Sequence, residues 1–320
     1  MHHTGTAARL VAILSLVAAV TLATTAGAFA ATPAPPPPRL PAITSSTAEF
    51  RYSANREYII DAARMAEAAG DSGRAETLET MAEGDRQFLT FDGRAEGRAV
   101  EVIGDLTGAR RIAILVPGAD TSIDTFDLNA GLAESARALY ERIERVSEGS
   151  EVAVIGWLGY AAPDTMSLAA LTTGRADDGA RELRRFVISL QRVNDAEVAL
   201  FCHSYGSVVC GRAAPHVSLS DIVVYGSPGM GTESFRSLDT EAHVWAARSE
   251  GDWIGRMPNG TFSVFDTTIG FGTDPTSPSF GASRLDAGDG GHGEYMVRGN
   301  PLIDIFALIA GGRGREVADA

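Results

Sequence analysis

Residues 198–211 read Val-Ala-Leu-Phe-Cys-His-Ser-Tyr-Gly-Ser-Val-Val-Cys-Gly. A short apolar run is cut by a polar turn and followed by a second apolar run, which predicts a buried strand, a sharp turn and a helix. Ser204 stands at the apex. A serine exposed at such an elbow needs small residues two before and two after it, because strand and helix approach closely there. Gly206 meets that demand, and Cys202 stands where glycine is usual. The plainer reading of Ser204 is a helix N-cap at an ordinary turn.

The pattern around the elbow decides between them. Short apolar runs at 99–103, 111–116, 152–157, 198–201, 222–225 and 244–247, with one more at 262–265, alternate with helical periodicity at 128–146, 178–193, 206–214 and 301–310. Strand and helix in alternation predict an α/β fold, a mostly parallel sheet with helices on both faces. Ligands then sit at the carboxyl ends of the strands, so the residues just after each strand are the ones to inspect.

Three strand ends carry groups that fit together. Ser204 follows the run at 198–201 and is the candidate nucleophile. In chain order an acid and then a histidine should come after it. His2 and His3 fall in the leader, His203 adjoins the serine and should point away, His216 lies past the next helix, and His243 precedes a strand. That leaves His292, in Gly290-Gly291-His292-Gly293, as the base. Asp252, in the loop after 244–247, is the candidate acid, with Glu250 its competitor and Asp221 and Asp239 poorer because they precede strands. Its task is to fix one imidazole tautomer and to stabilise the imidazolium. For the oxyanion, the N–H of Tyr205 and that of Ala119, with Gly118 as alternate, are the candidate donors. The stretch 158–173, with Tyr160, Met166, Leu168 and Leu171, is read either as one wall of a substrate pocket or as a loop packed on the core.

Composition narrows the partners. The 320 residues carry a formal charge of −14, and all 27 basic residues are arginine. A basic face for nucleic acid or anionic membrane is disfavoured, and without lysine there is neither a Schiff base nor a P-loop lysine. Neither histidine nor cysteine spacing matches a metal site, and no cofactor is expected. Cys202 and Cys210 are the only cysteines; they are either a disulfide bracing the elbow or two buried thiols.

The N-terminus has the order of a secretory signal. Arg9 precedes an apolar run at 10–22 and a small-residue site at Ala28-Phe29-Ala30. The alternative is an uncleaved anchor, which would be the one route to membrane contact. Residues 1–30 are therefore read as a signal peptide, 31–47 as an extended Pro-rich linker that holds the folded part away, and 48–85 as a helical N-terminal segment. The α/β domain follows at 86–312, with a flexible tail at 313–320.

Several segments together resemble an actinobacterial alpha/beta hydrolase family long labelled as a domain of unknown function. They are Gln87-Phe88-Leu89-Thr90-Phe91-Asp92, Val116-Pro117-Gly118, Gly156-Trp157-Leu158-Gly159-Tyr160-Ala161-Ala162-Pro163, His203-Ser204-Tyr205-Gly206-Ser207, Gly272-Thr273-Asp274-Pro275 and Gly291-His292, in that order. The resemblance implies the alpha/beta-hydrolase fold of a serine hydrolase, with Ser204 as nucleophile and His292 as base; the acid carries over onto Asp252. Ala161 departs from the acidic residue expected after Gly-Tyr. The resulting expectation is a secreted hydrolase of a small or lipid-like ester, or of an amide, acting through an acyl-enzyme. An acyltransferase that passes the acyl group to a wall glycan or lipid alcohol, and a non-catalytic binding protein on the same fold, are the competing classes.

Overall fold

The computed structural model describes residues 33–147, 149–257, 260–264 and 267–318. The expected signal peptide lies outside them. Among the described residues no helix is long and apolar enough to cross a membrane.

Two helices lead, α1 (Ala48–Ala68) and α2 (Ser72–Ala82), and Asp71 caps the second through the Arg74 N–H. The strands and helices of the body follow: β1 (Gln87–Asp92), β2 (Arg98–Ile103), β3 (Arg111–Val116), α3 (Leu132–Val146), β4 (Val152–Leu158), α4 (Gly174–Leu190), β5 (Glu197–His203), α5 (Gly206–Ala213), β6 (Asp221–Tyr225) and β7 (His243–Ala247). A hairpin of β8 (Gly260–Val264) and β9 (Thr267–Gly272) precedes β10 (Ser283–Leu285), α6 (Leu302–Ala310) and α7 (Gly314–Ala318).

The main sheet has the order β1-β2-β4-β3-β5-β6-β7-β10. It is parallel from β4 onward, while β2 runs antiparallel to both β1 and β4. The expectation of a mostly parallel α/β sheet holds, and the antiparallel pair at its start adds to it. The central strands are apolar at every position because both faces are covered. Ile112, Ile114 and Val116 of β3, with Val198 and Leu200 of β5, pack on one side with Leu183 and Val187 of α4 and Val208 and Val209 of α5. Ala113, Leu115 and Phe201 pack on the other with α3 and α6. The stripe Leu132, Ala136, Leu139 and Ile143, at spacings of four, three and four, is what seats α3; each large side chain buried there contributes about 1.5–3 kcal/mol.

The N-terminal parts differ from the sequence reading. The Pro-rich stretch does not stand off the body: Tyr58 Oη donates to the Pro35 carbonyl at 2.6 Å and the Arg51 guanidinium to that of Pro41. The leading helix is 21 residues long rather than short, and it caps β1, with Asn55 Nδ2 donating to Phe88 O at 2.7 Å and Arg51 Nε to Leu89 O at 2.9 Å. Residues Gly314–Ala318, expected as tail, form a further helical turn.

Chain order reverses at β3, whose neighbours are β4 on one side and β5 on the other. The crevice beyond the carboxyl ends of β3 and β5 is thus the switch point where open α/β sheets bind ligands. Val116 pairs with Cys202 there, which sets the turn after β3 directly beside the elbow after β5.

Candidate active site

The elbow is built by close approach. A side chain at position 206 would lie 2.5 Å from the Pro117 carbonyl oxygen, and one at position 118 would lie 2.7 Å from Ser204 Cβ. Glycine is required at both because the turn after β3 and the start of α5 touch. Ser204 itself has φ +49°, a left-handed conformation that costs a non-glycine residue about 1–3 kcal/mol and is usually held where function uses it. The Ser204 N–H bonds the Tyr225 carbonyl at 3.0 Å, and the side chain is nearly buried.

Three candidates from three loops converge. His292 Nε2 lies 2.9 Å from Ser204 Oγ, and His292 Nδ1 lies 2.9 and 3.0 Å from the two carboxylate oxygens of Asp252. A carboxylate only accepts, so Nδ1 carries the proton and Nε2 presents its lone pair to the serine. Asp252 opens the short helical turn Trp253–Arg256 and accepts from Ile254 N–H at 2.8 Å. Its other oxygen accepts from Tyr295 Oη at 2.5 Å. Burial pushes this carboxyl up, but the hydrogen bonds from His292, Tyr295 and Ile254 outweigh it and hold the pKa below the ordinary value. Asp252 is thus an anion. Glu250 is exposed, and Asp221 bonds Trp245 Nε1 at the amino ends of the strands.

Neither the Ala119 N–H nor the Tyr205 N–H has a backbone acceptor among the described residues. Gly118, the alternate, sits where a side chain would meet both Ser204 and the His203 carbonyl. The turn that carries Ala119 is tied from both sides: Tyr160 Oη donates to Pro117 O at 2.8 Å, and Asp120 binds Pro163 O through its N–H and the Thr165 N–H through its carboxylate.

That changes the reading of the loop at 158–173. Tyr160 is 1% exposed and stacks on Trp157, so it is a core residue bracing the turn, not a pocket wall. An apolar stretch predicts burial but not which side of the backbone faces the ligand. Met166 and Leu171 do line a cavity of about 510 Å³ at Ser204, while Leu168, half exposed, is not part of its wall. Tyr205, Trp253, Ile254, Met257, Ile269 and Phe271 contribute to the apolar lining. The hairpin that supplies Ile269 was legible only in its first strand.

His203 and Tyr295 are the functional neighbours that sequence reading missed. His203 turns from the serine, as expected, but toward the base: its Nε2 donates to the His292 carbonyl at 2.8 Å, with ring centroids 4.8 Å apart. Burial first, and repulsion from His292 second, lower its pKa to about 4. It is neutral at pH 7 and brings no competing charge. Trp253 covers the outer side of the His292 ring at 4.9 Å. The two cysteines form a disulfide with Cα atoms 6.5 Å apart, linking the end of β5 to α5 across the elbow. Among the described residues no group of three or more His, Cys, Asp or Glu side chains is arranged to hold a metal ion.

A family model described as alpha/beta hydrolase matches residues 92–261. The uncharacterized protein Rv2079 of Mycobacterium tuberculosis is 28% identical over 258 residues, covering 72% of this chain and 39% of that protein. This chain therefore spans about two fifths of that relative. The uncharacterized protein Mb0988c of Mycobacterium bovis is 28% identical over 202 residues, covering 57% of this chain and 75% of its own length. Among solved structures, XC6422 from Xanthomonas campestris, described as an α/β serine hydrolase without lid, overlaps with a TM-score of 0.43 at 16% identity, covering 73% of this chain and 96% of its own.

Proposed function

Because the chain belongs to the alpha/beta hydrolase family, we propose that it is a serine hydrolase that cleaves carboxylic esters of apolar acyl groups through an acyl-enzyme. The observation that carries the reading is the unbroken chain Ser204 Oγ, His292 Nε2, His292 Nδ1, Asp252 with each step at 2.9–3.0 Å. The serine is held at a strained elbow. His292 takes the Ser204 proton as Oγ attacks the carbonyl carbon, and the Asp252 anion stabilises the imidazolium. The N–H groups of Ala119 and Tyr205 donate to the developing oxyanion, donors of a kind worth about 3–4 kcal/mol each when preorganised. His292 returns the proton to the leaving oxygen, and a water repeats the sequence to free the acid.

The apolar lining of the 510 Å³ cavity supports an uncharged acyl group. For location we propose export, on the signal-like residues 1–30; the Cys202–Cys210 bridge is of the kind that persists in an oxidising compartment. Labelling with a fluorophosphonate tests the nucleophile. Wild type should label stoichiometrically and Ser204→Ala not at all. Equal labelling of the two, or none of either, sinks the reading.

A further inference from the structure

A second cavity adjoins the first. It measures about 260 Å³ and shares Ala119, Asp120 and His203 with the apolar one, so the turn after β3 is the wall between them. Gly293, next to the base, lies on its rim. Its character is different. Tyr225 and Ser135, 4% and 8% exposed, both line it, and neither hydroxyl has a hydrogen-bond partner among the described residues. At the outer end Asn129 presents a carboxamide that is likewise unpaired among the described residues.

Neither oxygen is sealed off from the cavity, so both hydroxyls are open to hydrogen-bond an occupant. The other tyrosines around the site are committed within the fold: Tyr160 and Tyr205 donate to carbonyls, and Tyr295 donates to Asp252. The two unpaired hydroxyls line the cavity that lies across the Ala119 turn from the apolar one, beside Gly293. The Asp120 carboxylate is engaged by Thr165, and it disfavours an anionic occupant.

The geometry points to this cavity as the leaving-group subsite, taking a small polyhydric alcohol, the glyceryl or sugar part of an ester whose acyl group fills the apolar cavity. The inference rests on the esterase reading. The Ser204 Oγ–C bond forms as its proton passes to His292 Nε2; the C–O bond to the alcohol breaks, and that proton goes to the departing oxygen. The remaining hydroxyls of the alcohol bond Tyr225, Ser135 and Asn129.

One acyl group, butyryl, carried on ethanol, glycerol and glucose makes the test. The wild type should show kcat/KM at least about tenfold higher for a polyol ester than for the ethyl ester, and the glyceryl or glucosyl preference identifies which polyol is seated. Tyr225→Phe and Ser135→Ala should each lower that ratio by about three- to tenfold, the loss of one hydrogen bond. Saturation-transfer NMR with methyl glucoside and with glycerol on Ser204→Ala protein, with and without Tyr225→Phe, reads the subsite without turnover. Ester hydrolysis with a ratio near one, or a ratio untouched by both variants, overturns the subsite and leaves the esterase reading standing. Tyr225-dependent polyol binding in a chain that hydrolyses no ester would do the reverse, and polyol binding that is absent or indifferent to Tyr225→Phe overturns the subsite in either case.

Discussion

His203→Gln should remove a slope from the dependence of stability on pH. In the folded chain the His203 pKa is lowered to about 4 by burial and by His292, whereas an unfolded histidine titrates near ~6.5. Between those values the unfolded chain binds a proton that the folded chain refuses. A base depressed in this way contributes stability that is complete above the unfolded pKa, declines as pH falls toward 4, and changes no further below it. At about 1.36 kcal/mol per unit the loss across the window is at most about 3 kcal/mol. Glutamine keeps an N–H able to reach the His292 carbonyl, now bonded at 2.8 Å, but takes up no proton. Urea unfolding at fixed ionic strength, at steps from pH 7.5 to pH 4, should show wild type losing about 2–3 kcal/mol more than the variant. The carboxylates titrate alike in both chains and cancel in the difference. A flat difference, or one in which the variant loses more, would refute the claim that His203 is held neutral against the base.

Two further outcomes follow from the braces around the elbow. Tyr160→Phe leaves the Pro117 carbonyl without its donor, and the predicted result is about a tenfold fall in kcat with KM little changed, since the displaced turn carries the Ala119 N–H proposed for the oxyanion; a fall in thermal stability alone, with kcat intact, would reduce Tyr160 to packing. Replacing Cys202 and Cys210 together by alanine opens a bridge spanning eight residues and should cost about 2–3 kcal/mol, or about 5–10 °C in Tm, measured by calorimetry against the oxidised wild type; no shift would mean the bridge constrains nothing.

The sequence carried the elbow because a buried strand, a polar turn and a helix are each local patterns. Their chain order then limited the base to His292 and favoured Asp252. Both assignments need only the positions of residues relative to strand ends. What could not be read depends on direction within a buried shell. Tyr160 and Met166 stand six residues apart in one loop, yet one supports the turn from behind and the other lines the cavity. His203 and Tyr295 act through contacts between loops that are 89 and 43 residues apart in sequence, and no periodicity reports such pairs. Cys202 was ambiguous because two buried thiols and a bridge make the same apolar pattern. The antiparallel start of the sheet was hidden for a related reason: a half-buried strand such as β1 alternates the same way whichever direction it runs.

The leading helix has a bearing on how copies of the chain meet one another. An edge strand with free backbone groups is a template for growth by a second copy. Here the Phe88 and Leu89 carbonyls at the β1 end are taken by Asn55 and Arg51 of the same chain, and the sheet closes at its other end with the three-residue β10. Neither margin offers a long bare ladder. The 35 residues Ala48–Ala82 that make the α1 and α2 pair with its short turn thus act as a stopper against sheet-to-sheet polymerisation, a colloidal safeguard that lies outside the stretch matched to the family and owes nothing to the chemistry at Ser204.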